Sequence, residues 1–308
     1  MLGHPKPVVE LLIHKTTLTK PTKTTITSSN ADIIDTTKIT LHESMQTLKN
    51  QIFDSSTLWR LYYSSSLMQD WDTCSQSIEH LHRMNPSYCT VICLMFAKLE
   101  MDRPIDASKI YTEVENFNKL PPNHQCCVCG DILSILLNIF YADAMIHSQI
   151  SHTKKKECTR DDMDTSHIIE LTSTAMSLIN KARSKQKPVH SNRLLSYLEA
   201  CILNNHAFGL VMNGNNFEAL SFFSKAVHLM KNASGLMAVD ECNFLYPLYN
   251  MVILLLKEGY HKEASSVWKN VTELSKETKY IGTRNVCNND LKIQFALLDK
   301  IVHSTEDM

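Results

Sequence analysis

The sequence predicts an all-α fold, and two observations carry that prediction. Glycine contributes 7 and proline 9 of 308 residues, against typical shares of about 7% and 5%. The tight turns of a sandwich or barrel, and the phosphate turns of a dinucleotide-binding fold, are therefore in short supply. From Leu41 onward apolar residues recur at helical spacing, and strand alternation is never sustained. With 44% apolar residues, the chain is globular and long enough for a sizeable core, as one large domain or two ordinary ones.

Residues 1–40 lack a helical period, and seven threonines fall between Thr16 and Thr27. β-Branched residues are poor helix formers, so this stretch predicts a flexible Ser/Thr/Lys-rich tail. Leu41, Met45, Leu48 and Ile52 mark the first helical face; Leu58, Leu61, Tyr62 and Leu67 mark the next. Asp70 can cap a helix carrying Cys74, Ile78, Leu81 and Met84, and Pro86 ends it. A further helix spans Tyr88 to Leu99, and Pro104 suits the first turn of its successor. Pro121 and Pro122 close that segment, and a long apolar helix is expected from Val128 to His147.

Residues 151–164 are polar, with charges of both signs, and predict a linker. Helices are expected again over Ser166–Arg183, His190–Met212, Phe217–Lys231, Asn243–Lys257, His261–Lys276 and Asp290–His303. The predicted organisation is thus a tail at 1–40, helical repeats at 41–150, the linker at 151–164, and helical repeats at 165–308.

Two segments share a turn signature. One runs from Gly214 to Ala219, the other from Gly259 to Ala264. Each follows an apolar helix, and each alanine is followed four residues later by an aromatic, Phe223 or Trp268. Glycine would end the first helix in a left-handed turn, alanine would allow close helix crossing, and the aromatic would fill the space between hairpins. Upstream, Cys74 and Ala107 stand 33 residues apart in two weaker units.

These residues resemble the tetratricopeptide repeat, a two-helix unit of about 34 residues. The likeness covers four units, over segments such as 200–231 and 245–276. The small residue usual in the first helix is Tyr62, Met95, Ala207 and Val252 here, so the array is divergent. The resemblance implies a stacked α-solenoid whose first helices line a concave groove, with Ala107, Gly214, Ala219, Phe223, Gly259, Ala264 and Trp268 packing the repeats. It implies a protein partner in a groove lined by Trp59, Tyr63, Ile92, Phe96, Asn204, Phe208, Tyr249 and Ile253. None of these is cationic, which counts against a clamp for a partner's terminal carboxylate. Their apolar character fits an apolar helix or extended segment, or a groove filled by the chain's own helices or tail.

Other chemistry is sparse. His124, Cys126 and Cys129 form the densest ligand cluster. A Cys-x-x-Cys pair can bind zinc or exchange disulfides, but no second pair completes a four-ligand site. A zinc-binding or redox-active protein built on Cys126–Cys129 is the alternative reading. No H-E-x-x-H, G-x-S-x-G, Walker A or G-x-G-x-x-G motif occurs.

The net charge of −1 gives no global pull toward nucleic acid or anionic membrane. No apolar run approaches the ~20 residues of a membrane span. No secretory signal is evident at the start, so the ten cysteines are expected to be reduced thiols in a cytoplasmic or nuclear protein. The sequence therefore predicts a non-catalytic scaffold without cofactor or small-molecule substrate, holding protein partners as a subunit of a larger complex.

Overall fold

Asp54 opens the first described helix. Its carboxylate accepts the Thr57 N–H at 2.8 Å, satisfying one of the donors that a helix start leaves unpaired. The computed structural model describes residues 54–115, 130–155, 165–184, 192–233, 245–277 and 296–302. The expected tail at 1–40, the helical face from Leu41 to Ile52, and Pro121 and Pro122 lie outside them.

Every regular element among the described residues is a helix. In order these are α1 (Ser55–Leu67), α2 (Trp71–Met84), α3 (Tyr88–Glu100), α4 (Pro104–Glu115), α5 (Gly130–Lys155), α6 (Ser166–Ser184), α7 (Asn192–Met212), α8 (Asn216–Ala233), α9 (Leu245–Lys257) and α10 (His261–Glu277). Residues 296–302 are also helical. Asp70 caps α2 by accepting from the Thr73 N–H at 3.2 Å. Ser87 caps α3 in a reciprocal box with Thr90. Helix α5 runs five residues into the polar stretch read as linker. Polar residues can continue a helix when no face there needs burial, so the charge pattern alone did not mark its end.

Four of the turns have one geometry. Backbone φ is +59° at Gln69, +56° at Asp102, +81° at Gly214 and +80° at Gly259. At each, that residue's N–H donates to the carbonyl three residues back, and the next N–H donates to the carbonyl five back. The pairs are Gln69 to Ser66 with Asp70 to Ser65, and Asp102 to Leu99 with Arg103 to Lys98. They recur as Gly214 to Val211 with Asn215 to Leu210, and Gly259 to Leu256 with Tyr260 to Leu255. This is the Schellman closure, which satisfies the last carbonyls of a helix and reverses the chain. Five residues beyond each left-handed position stands a small, fully buried residue: Cys74, Ala107, Ala219 or Ala264.

The described helices fall into two compact units, one carrying α1–α5 and the other α6–α10 with 296–302. In the first, consecutive helices pack together and α3 also packs on α5. Tyr62 of α1 is fully buried and donates its hydroxyl to the Cys93 carbonyl of α3 at 3.2 Å. Lys98 of α3 reaches back to Glu79 of α2 at 2.7 Å. Phe96 of α3 meets Phe140 of α5 at 5.9 Å, and Tyr111 of α4 stacks on Tyr141 of α5 at 3.8 Å.

In the second unit consecutive helices again pack together. The bare Gly209 lets α6 approach α7; a Cβ there would sit 3.2 Å from side-chain atoms of both Ile168 and Ile169. Ala207, Leu210, Ala219, Phe223 and Leu254 form one apolar cluster. Tyr249, Val252, Trp268, Val271, Leu298 and Val302 belong to another. Trp268 Nε1 also donates to Asp299 Oδ1 at 2.8 Å, fastening 296–302 to α10.

Candidate functional site

The eight residues expected to line a groove divide by environment. Ile92, Phe96, Asn204 and Tyr249 are buried, each at 1% exposure or less. At these four positions the burial fits the alternative in which the chain's own helices fill the groove, and not an open surface. Phe96 lies edge-on to Trp71 at 5.5 Å as well as against Phe140. Tyr249 packs on Trp268 at 5.8 Å. Asn204 accepts from Asn250 Nδ2 at 2.8 Å. These side chains pack the interior of the unit to which each belongs.

Trp59, Tyr63 and Phe208 are half-buried. Trp59 presents an edge to Tyr62 at 6.0 Å, and Phe208 is T-shaped to Phe223 at 5.9 Å. Ile253 is 45% exposed. Phe208 and Ile253 each stand eleven residues before a buried alanine, Ala219 or Ala264. Val211 and Leu256 each stand eight before, and both are half-buried. The repeat register therefore places a partly open apolar residue at the same two positions of both hairpins.

The packing residues Ala107, Ala219 and Ala264 are fully buried, Phe223 is 1% and Trp268 2% exposed, and Gly214 and Gly259 have positive φ. Sequence reading took the glycine-to-alanine turns only as packing signatures and overlooked the aromatics they display. Phe217 is 89% and Tyr260 51% exposed. The two turns are bridged where Asn216 Nδ2 donates to Glu258 Oε1 at 2.6 Å.

His124, Cys126 and Cys129 lie outside the described residues. Among the described residues no cluster of three or more histidine, cysteine or acidic side chains is placed to hold a metal ion. Cys74, Cys93 and Cys201 are free and buried. Burial pushes the Cys93 thiol up to about 12 and the Cys74 thiol well above its ordinary range. Such thiols remain protonated and unreactive. Cys89 is disulfide-bonded. The expectation of reduced thiols throughout therefore fails at Cys89.

No described helix is long and apolar enough to cross a membrane. No protein-family model matches the chain, and no curated protein matches it.

Proposed function

We propose that the chain is a non-catalytic scaffold of the tetratricopeptide-like α-solenoid class, holding a protein partner as one subunit of a larger assembly. The observation that carries this reading is the fourfold recurrence of one turn, each with a buried small residue five positions on. Recurring antiparallel hairpins of this kind stack side by side and repeat the same surface positions along the stack. The partner would cover the apolar positions left partly open, Phe208, Val211, Ile253 and Leu256 in the second unit and Trp59 and Tyr63 in the first. Apolar anchors in such a surface supply most of the binding energy, about 2 kcal/mol or more each when central.

The buried free thiols Cys74, Cys93 and Cys201 support the cytoplasm or nucleus as the compartment. The Cys89 disulfide is the observation against it. Peptide mapping of the native protein with and without reductant decides between them.

The test of the scaffold is isolation of the tagged chain from its native cells at moderate salt. A partner protein is expected at fixed stoichiometry. Ile253→Glu should deplete that partner without loss of helix content by circular dichroism, because the side chain is exposed and its change spares the core. A chain isolated alone, or undiminished recovery with both Ile253→Glu and Phe208→Glu, would overturn the reading.

A further inference from the structure

Helix α6 is held to α7 at polar points spread along its length. Thr165, just before the helix, bonds to Asn213. Thr172 Oγ1 lies 2.8 Å from His206 Nδ1. Arg183 Nη2 donates to Glu199 Oε2 at 2.6 Å. Between the first two points, the backbone of Gly209 admits Ile168 and Ile169.

The middle point is the one that titrates near neutrality. The His206 ring is half-buried and packs at 4.6 Å, tilted by 55°, on Phe222 of α8. It thus joins three helices. From α6 the facing group is the neutral Thr172 hydroxyl, which also lies 2.8 Å from the Ile168 carbonyl and 3.0 Å from that of Ile169. From α8 the charged groups are Glu218, which attracts a proton to the ring, and Lys225, whose Nζ lies 5.0 Å from the centroid of the Phe222 ring. The other charged groups of α6 are the His167–Glu170 pair, Lys181 and the distal Arg183.

We propose that His206 makes the docking of α6 acid-sensitive: when neutral it pins α6 to the α7–α8 hairpin, and when protonated it releases that helix while the hairpin stays folded. Whichever ring nitrogen holds the first proton, the second adds a full charge to a half-buried ring that lies against a neutral hydroxyl and an aromatic ring. Burial therefore pushes the imidazole below its ordinary 6.5, against the smaller opposing pull of Glu218. The folded ring binds its proton less readily than the unfolded one. The stability it confers is complete above 6.5 and is lost as pH falls from there through the lower folded-state value. This inference stands apart from the scaffold reading, because it concerns helix docking and not a partner.

Amide hydrogen exchange on the full chain at about pH 7.5 and about pH 5.5, corrected for intrinsic rates, tests it. Acidification should lower α6 protection several-fold more than α10 protection, and His206→Gln should abolish that excess. Equal changes in the two helices, or an excess that persists in the variant, would overturn it. Should the variant fail to fold, nuclear magnetic resonance titration of His206 in the unmodified chain decides. A midpoint below 6.5 is expected, and one at or above 6.5 overturns the proposal.

Discussion

The side-chain amide of Asn250 donates to Oδ1 of Asn204 across 2.8 Å, joining α9 to α7 inside the second unit. Asn204 is fully buried and Asn250 is 4% exposed. A buried amide left without a partner costs more than the bond itself contributes. Asn250→Ala should therefore lower the unfolding free energy by about 1–3 kcal/mol. Asn204→Leu combined with Asn250→Leu should cost clearly less than the sum of the single changes, because both polar groups leave together. Urea unfolding of the four proteins measures this coupling. Strict additivity would mean that the two amides do not act as a pair.

The four matched turns make opposite predictions for glycine and non-glycine occupants. Gly259 has φ of +80° and nothing within 4 Å of where a Cβ would stand. Gly259→Ala should cost about 1–2 kcal/mol from backbone strain alone. Asp102 adopts the same conformation at φ of +56° and is exposed. Asp102→Gly should be neutral or stabilising by up to about 1 kcal/mol, the relief of strain being offset in part by a freer unfolded chain. Chemical denaturation of both variants provides the comparison. Destabilisation by Asp102→Gly comparable to that of Gly259→Ala would refute a shared turn chemistry.

Those turns also explain which features the sequence disclosed. Helix positions were readable because apolar spacing, Asp70 and the prolines act locally. The turn signature was readable at Gly214 and Gly259, where the backbone requirement selects glycine. It was hidden at Gln69 and Asp102, where the same conformation is held by residues that carry no such signal. The site was harder to read. Asn204 looks like a surface residue in one dimension, yet its partner lies 46 residues away. Phe96 looks like a groove aromatic, yet Trp71 and Phe140 enclose it. Burial of this kind depends on contacts between helices, which periodicity within one helix does not encode.

The buried thiols predict a chemical pattern. Burial holds Cys93 at about 12 and Cys74 well above its ordinary range, and Cys201 is fully buried. In the native chain at mildly alkaline pH, none of the three should react with iodoacetamide on a timescale that labels a free model thiol. All three should react once the chain is unfolded. Peptide mass spectrometry after native and denatured labelling assigns each site. Rapid native labelling of Cys93 would contradict its place beneath Tyr62.

Asp54 carries a prediction about acid. Its carboxylate accepts from the Ser56 hydroxyl at 2.5 Å, the Thr57 N–H at 2.8 Å and the Thr57 hydroxyl at 2.8 Å. These bonds, that from Ser56 first, hold its pKa at about 2, below its ordinary 3.8. The folded-state value is the lower one, so the contribution is present above 3.8 and fades as pH falls through about 2. At neutral pH, Asp54→Ala should cost roughly 1 kcal/mol or less, the usual worth of a helix cap discounted for exposure. Asp54→Asn should cost less, because an amide oxygen can still cap the helix. Stability measured against pH should show the gap between Asp54→Ala and the unmodified chain closing only in strong acid, while the gap between the two variants stays level. A gap that remained unchanged down to about pH 2 would show that the charge of Asp54 contributes nothing to the start of α1.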